Sequence, residues 1–298
     1  MKEKGNIILK VKEQNELMKF LIENLPGKNR NNIKSLLKNK QVLVDRVPVS
    51  QFNHVVESGQ EIMITRARLQ EKEIKGIKIV YEDEYLIAVE KASGILSIAT
   101  DKEREKTAYN MVKNYVKSRN PLEKLFIVHR LDRETSGVMI FAKTEEMQQI
   151  LQTNWQDMVL ERTYVAVVEG KVEKNSDTII SYLKENSAMV TFSSEKEIEG
   201  SKKAITHYTV LNRSRGFSLV EAKIETGRKN QIRVHMQTLG HSVVGDKKYG
   251  ATTNPLGRLG LHAKSIVFKH PKTGKVLSFQ TGIPVKFLSM FKKKEFKK

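Results

Sequence analysis

Apolar positions along the chain follow two rhythms. Leu17, Phe20, Leu21 and Leu25 recur at helical spacing until Pro26-Gly27, which predicts a helix ending there. Ile33, Leu36 and Leu37 mark a second short helix, with Lys34 and Lys38 on its polar side. Apolar runs at 42–44 and 61–64, bounded by turns at Asp45-Arg46 and Ser58-Gly59, predict strands. Residues 13–65 thus read as a small unit, and the charged stretch 66–76 reads as a linker. From Ile77 onward the rhythm is that of strands and turns. Strands are predicted at 77–81, 85–89, 125–128, 138–143, 163–168, 188–192, 205–211, 218–223, 265–268 and 276–279. Ala108, Met111, Val112, Tyr115 and Val116 predict an amphipathic helix, and 229–239 predicts another, stopped by Gly240. Strands with scattered helices predict an α+β domain over 77–298 on a mostly antiparallel mixed sheet.

Charge adds a partner to this picture. The 53 Lys+Arg against 34 Asp+Glu give a formal charge of +19, which points to a polyanion, since neutralised phosphates release counterions. An anionic membrane surface fits the charge less well, because no long basic amphipathic helix carries an aromatic face. Arg30, Lys34, Lys38 and Lys40 fall on or beside one helix-and-turn face, either a phosphate-tracking patch or an ordinary solvated one. No apolar run reaches bilayer length, and the opening MKEKGNIILKVKEQ lacks a signal-peptide core. The absence of cysteine excludes disulfides and thiolate metal sites and fits a reducing compartment, so a cytoplasmic location is expected.

Three blocks carry candidate chemistry. In HRLDRETSG, residues 129–137, a polar loop between two apolar strands holds Asp132 between Arg130 and Arg133. Asp132 reads either as a turn residue satisfying backbone amides or as a site carboxylate biased toward its ionised form by the flanking cations. In the block 161–170, Tyr164 opens an apolar strand, either as a core tyrosine or as a flat ring offered to a ligand. In TGRKNQIRVH, residues 226–235, Gly227 permits a tight turn before a helix start crowded with Arg228 and Lys229, a natural anion site. Arg233 lies one turn in, where its fork could clamp a carboxylate bidentately. His129, His235, His262 and His270 show no ligand spacing with a carboxylate, so no metal site is expected.

The nonapeptide with its flanking strands resembles the signature of the RluA-type pseudouridine synthases, and the other two blocks follow in matching order. Weaker matches are Gly245-Asp246-Lys247-Lys248-Tyr249-Gly250 and Leu261-His262-Ala263. The 17–44 pattern is similar to the S4-like RNA-binding domain that many such enzymes carry, although the family's usual Asn-Gly turn is Asp45-Arg46 here. Together the resemblance runs from about Leu17 to Pro284. It implies a pseudouridine synthase core with Asp132 as catalytic carboxylate, Arg233 as its basic partner and Tyr164 against the target uracil. It also implies Ile232 and Leu261 as pocket walls and Arg130 as the residue filling the gap a flipped uridine leaves in RNA. Two departures stand out: Lys91-Ala92-Ser93-Gly94 replaces Lys-Pro-Ala-Gly, and Asn230 stands where many members have His.

The implied reaction breaks a C–N glycosidic bond, turns the uracil and forms a C–C bond. It needs no electrons and no transferred group, which agrees with the lack of a Gly-x-Gly-x-x-Gly or P-loop fingerprint, so no cofactor is expected. Tyr164 is a candidate for the base that removes the carbon 5 proton. The expected partner is ribosomal RNA of the large subunit, with transfer RNA second, and the expected state is a monomer. The competing readings are a non-catalytic RNA-binding ribosome-assembly factor and a nucleoside or glycoside hydrolase, the latter short of a second carboxylate beyond Glu134.

Overall fold

A computed structural model describes residues 7–39, 41–45, 47–49, 51–65, 74–101 and 103–291. The chain divides into two compact units, Met1–Glu73 and Ile74–Lys298. Lys40, Arg46 and most of the charged stretch expected as a linker lie outside the described residues.

The first unit runs β1 (Ile7–Lys10), β2 (Asn15–Glu16), α1 (Leu17–Asn24), α2 (Arg30–Lys38), β3 (Val42–Val44), β4 (Val47–Pro48), β5 (Val55–Val56) and β6 (Glu61–Ile64). Its main sheet has the order β1-β6-β3-β4. Leu17, Phe20, Leu21 and Leu25 from α1 and its end meet Ile33 and Leu37 from α2 over Val42, Val44, Ile62 and Ile64. A reciprocal capping box between Asn29 and Asn32 starts α2. Asp45 takes a left-handed conformation (φ 47°), and its carboxylate accepts hydrogen bonds from Glu61 N–H and the Gln60 amide. That local bonding is why Asp serves at this turn.

The second unit begins with β7 (Ile77–Glu82), β8 (Leu86–Lys91), α3 (Ala108–Arg119), β9 (Phe126–Ile127), β10 (Ser136–Ala142), α4 (Glu145–Thr153) and α5 (Trp155–Met158). It continues through β11 (Val159–Glu169), β12 (Ser176–Glu185), β13 (Thr191–Ser194), β14 (Lys202–Arg213), β15 (Phe217–Ile224) and α6 (Gln231–Thr238). A short 3-10 turn (Lys247–Tyr249), β16 (Leu261–Lys269), β17 (Val276–Gln280) and α7 (Val285–Ser289) complete it. The strands form one 11-stranded sheet, ordered β13-β12-β14-β15-β11-β16-β10-β8-β7, with β17 beside β16 and β9 beside β10. Among the described residues its strands pair antiparallel except β10 against β16, so the α+β architecture on a mostly antiparallel mixed sheet is the one observed.

Both faces of the central strands are covered. Along β10, Met139 and Phe141 join α3 through Val112 and Val116, while Val138, Ile140 and Ala142 join α4 through Met147 and Leu151. Burial on both faces explains why β10 reads as a continuous apolar run rather than an alternating one. Along β11, Ala166 and Val168 pack under Ile232 and Met236 of α6, and Val165 and Val167 pack toward Phe287 of α7.

Two local expectations shift. The strand expected at 188–192 starts later, as β13, because Met189 is left-handed (φ 58°) in a turn closed by the Asn186 side chain on Val190 N–H. The helix expected at 229–239 starts at Gln231, since Asn230 is itself left-handed (φ 57°). Strand β12 and helices α4 and α5 carried no expectation from the sequence.

Candidate active site

The loop bearing Asp132 is fixed by the loop that follows β8. Leu131 N–H donates to Ser97 Oγ at 3.0 Å, and that hydroxyl donates back to Leu131 carbonyl at 2.6 Å. Lys91 is wholly buried and sends its ammonium to the carbonyls of Ala92, Ile95 and Arg133. Burial pulls its pKa down to about 8, with the nearby Glu134 charge opposing that pull. Gly137 closes the loop against β16: at φ 119°, a Cβ there would lie 2.1 Å from Ala263 carbonyl oxygen. Only glycine lets β10 approach β16 for the parallel pairing Ser136↔His262 and Gly137↔Ala263. His129 Nε2 accepts from Ile140 N–H at 3.0 Å, and burial, aided by the Arg162 charge, lowers its pKa to about 4.

Neither neighbouring arginine is the ion partner of Asp132. Arg133 turns away to donate to Gly94 carbonyl, and Arg130 is exposed at the cavity edge. The cation that reaches Asp132 is Arg233, 101 residues further along, with Nη1 at 3.3 Å from Oδ2. The bidentate fork of Arg233 goes elsewhere, to buried Asp246 at 2.6 and 2.8 Å. Asn230 Oδ1 accepts from the same Nη1 at 2.7 Å, and the guanidinium lies 4.8 Å from the Tyr249 ring centroid. Burial lowers the Arg233 pKa and its carboxylate partners raise it, leaving it above the ordinary arginine value.

Tyr164 sits on β11 opposite a bulge in β16, where Lys264 is the extra residue between the pairs Thr163↔Ser265 and Tyr164↔Ala263. The alternation of β11 itself is therefore unbroken here. The ring packs, half-buried, between the cluster containing Leu131 and the one containing Ile232 and Leu261. Burial raises the phenol pKa above its ordinary value; Arg162 opposes this and Asp132 adds to it. Asp132, Tyr164 and Arg233 line one cavity of about 840 Å³ together with Arg130, Ile232, Leu261, Arg228 and Lys229.

The expected anion site at the helix start is partly taken up by the protein. Lys229 pairs with Glu185, and Arg228 N–H donates to the Gln231 side chain of α6 itself. Arg228 Nε donates to Lys203 carbonyl. Arg30, Lys34 and Lys38 of the first unit are exposed along α2. The other histidines are occupied by the fold: His235 lies between Ser181 and Thr206, and His262 between Ser136 and Thr281. His270 Nδ1 accepts the N–H groups of Lys272 and Thr273.

Several cavity residues escaped the sequence reading. Arg162 was visible only as the basic residue before Tyr164, and Trp155 and Gln156 lie on a helix that was not foreseen. Asp246 stood in a recognised motif, but nothing in its spacing paired it with Arg233.

The family model described as RNA pseudouridylate synthase matches residues 85–238. An RNA pseudouridine synthase of Bacillus subtilis is 29% identical over 95% of this chain and 96% of its own length. The ribosomal large subunit pseudouridine synthase D of Neisseria meningitidis is 33% identical, over 87% of this chain and 73% of its own. Human RNA pseudouridylate synthase domain containing 1 shares the fold, with TM-score 0.59 over 72% of this chain and 87% of its own at 23% identity. With the family model matching more than half of the chain and the Neisseria relative 33% identical over 87% of it, the chain belongs to the RNA pseudouridine synthase family, isomerases that convert uridine to pseudouridine in RNA.

Proposed function

We propose that this enzyme modifies a uridine of large-subunit ribosomal RNA, with Asp132 as the catalytic carboxylate. The observation that carries the assignment is the shared cavity: Asp132 and the Tyr164 ring face one space, and Arg233 sits 3.3 Å from the carboxylate. The Neisseria relative and a Nitrosomonas europaea one are both large-subunit pseudouridine synthases by name, which supports the choice of RNA. Uridine must leave its stack to reach the cavity, at a cost of a few kcal/mol. Tyr164 then stacks on the uracil, Ile232 and Leu261 wall it in, and exposed Arg130 fills the space left in the RNA. Asp132 acts at the sugar or base while the glycosidic bond breaks through an oxocarbenium-like state. Tyr164 can take the carbon 5 proton only after losing its own, which burial opposes, so we assign it stacking rather than the base role.

The first unit is an S4-like RNA-binding domain in this reading. Its α1–α2 pair followed by β3, and the exposed Arg30, Lys34 and Lys38 at four-residue steps along α2, support it. The reading has the enzyme acting as a monomer, in the cytoplasm where such RNA is assembled. The test is tritium release from ribosomal and transfer RNA labelled at carbon 5 of uracil, comparing wild type with Asp132→Asn. Release from ribosomal RNA by the wild type alone is expected. Release only from transfer RNA would move the target, and undiminished release by Asp132→Asn would remove Asp132 from the chemistry.

A further inference from the structure

We infer that Arg162 and Arg228 together bind one backbone phosphate of the RNA strand beside the uridine, with Gly227 making the space that places the Arg162 guanidinium. The inference rests on the reading of this cavity as the uridine site. Both arginines line the cavity, and among the described residues neither forms an ion pair with a carboxylate. Each is tethered by a neutral acceptor instead. Arg162 Nη2 donates to Glu225 carbonyl at 2.6 Å, and Arg228 Nε donates to Lys203 carbonyl at 2.9 Å. A guanidinium offers five N–H donors in a rigid fork. One tether therefore fixes its direction and leaves most of its donors without a protein acceptor.

Two uncompensated cations side by side are unfavourable for the protein alone. Burial and the neighbouring Arg228 hold Arg162 below its ordinary pKa, the direction that an anion between them would reverse. Arg233 is balanced by Asp246 and Asp132, and Lys229 by Glu185, so this pair differs from the other cations of the cavity. Gly227 is an independent sign of design. A Cβ there would lie 2.6 Å from Arg162 Nη1, so the guanidinium passes through space that any other residue would fill. Arg162 and Tyr164 are two apart on β11, which puts both on one face of the strand. A phosphate on Arg162 would therefore stand next to the ring proposed to stack the uracil, which is the relation a nucleotide requires.

Binding of the uridine trinucleotide UpUpU tests this, read from the fluorescence of Trp155, the single tryptophan and part of the same cavity wall. A charge-neutral methylphosphonate is placed at either linkage. Wild type should lose about tenfold in affinity at one linkage and much less at the other, because a phosphate-specific contact is position-dependent. Arg162→Gln should lose a similar factor with unmodified UpUpU, flatten the salt slope by about one unit, and show no further loss with the methylphosphonate. Gly227→Ala keeps every charge and has no left-handed φ to strain; it should reproduce the lost linkage preference with an unchanged melting temperature.

Independent, multiplying losses from Arg162→Gln and the methylphosphonate would overturn the proposal. So would equal penalties at both linkages in wild type. Displacement of UpUpU by millimolar inorganic phosphate without linkage preference would mean a free-anion site instead. This assay reads binding, so a failure of isomerisation in the tritium assay would sink the activity reading and leave the phosphate result interpretable.

Discussion

Arg233 meets Asp246 with both branches of its fork, at 2.6 and 2.8 Å, and meets Asp132 with Nη1 alone at 3.3 Å. The better geometry goes to the buried carboxylate, whose side chain is 1% exposed against 32% for Asp132. Arg233 is thus oriented from behind by Asp246, by the Tyr249 ring and by Asn230, and presents one remaining edge to the cavity. Charge-assisted pairs with two parallel bonds fix direction as well as distance. Asp132 keeps a fixed cation without surrendering both its oxygens, which leaves it able to approach a substrate.

Asp246→Asn should therefore slow pseudouridine formation although Asp246 itself does not line the cavity. The amide keeps the volume but loses the charge and one acceptor of the fork, so Arg233 is free to swing toward Asp132 and hold it. Misplacement of this kind costs on the order of 10²-fold in rate, and the broken buried pair about 3 kcal/mol in stability. Single-turnover rates and urea midpoints on the same preparation would separate the two effects. A rate within twofold of wild type would mean that Asp246 serves only the fold.

Gly137→Ala strikes the same centre from the strand side. The added methyl meets Ala263 carbonyl oxygen in a backbone conformation with φ 119°. Strain and overpacking each cost about 1–3 kcal/mol, so the variant should lose several kcal/mol or fail to fold. Chemical denaturation measures this. Retention of wild-type stability would show that β10 and β16 can separate without penalty.

How much of this was written in the sequence depends on where each constraint lies. The α1 and α2 patterns and the run along β10 were legible because their apolar spacing is local. Strand β12 was not, since only Ser181 and Leu183 among its residues are buried and its Ile180 is exposed, so no alternation stands out. Helix α4 had a Thr144 cap and a Met147–Leu151 pair at helical spacing, a signal that was present and passed over. Asp132, Tyr164 and Arg233 were named from motif resemblance, and their meeting in one cavity follows from strand order, which no local pattern encodes. The same limit hid Asp246 and misdirected attention to Arg130 and Arg133, neighbours of Asp132 in sequence but not its ion partners.

Acid should weaken the fold well above the range of its carboxylates. His235 and His262 are buried and His129 is half-buried, and desolvation lowers each from 6.5 to about 4. Each is neutral in the folded state, so the unfolded chain binds protons first as pH falls below 6.5. The stability they confer is full above that pH and is lost as pH drops toward 4, at most on the order of 3 kcal/mol per group. Between these limits the three together approach a slope of about 4 kcal/mol per pH unit. Urea unfolding from pH 7 to 4.5 measures the slope, and a flat profile would mean that these imidazoles protonate without resistance in the folded protein.

The first unit offers a cleaner separation of binding from chemistry. Arg30, Lys34 and Lys38 lie exposed along one face of α2, away from Ile33 and Leu37 in its core. Reversing all three to glutamate alters no buried contact and should shift the melting temperature by no more than several degrees, surface substitutions being worth roughly ±0.5 kcal/mol or less each. If that face tracks phosphates, RNA affinity at moderate salt should fall by about tenfold or more, and the slope of log K against log salt should flatten by about two units. Turnover at saturating RNA should hold, because the Asp132 cavity is built entirely from the second unit. Filter binding over a salt series with a parallel kcat measurement decides the matter. Unchanged affinity and slope would make the face merely solvated, while a collapse of kcat at saturation would mean that the first unit shapes the RNA for catalysis rather than only holding it.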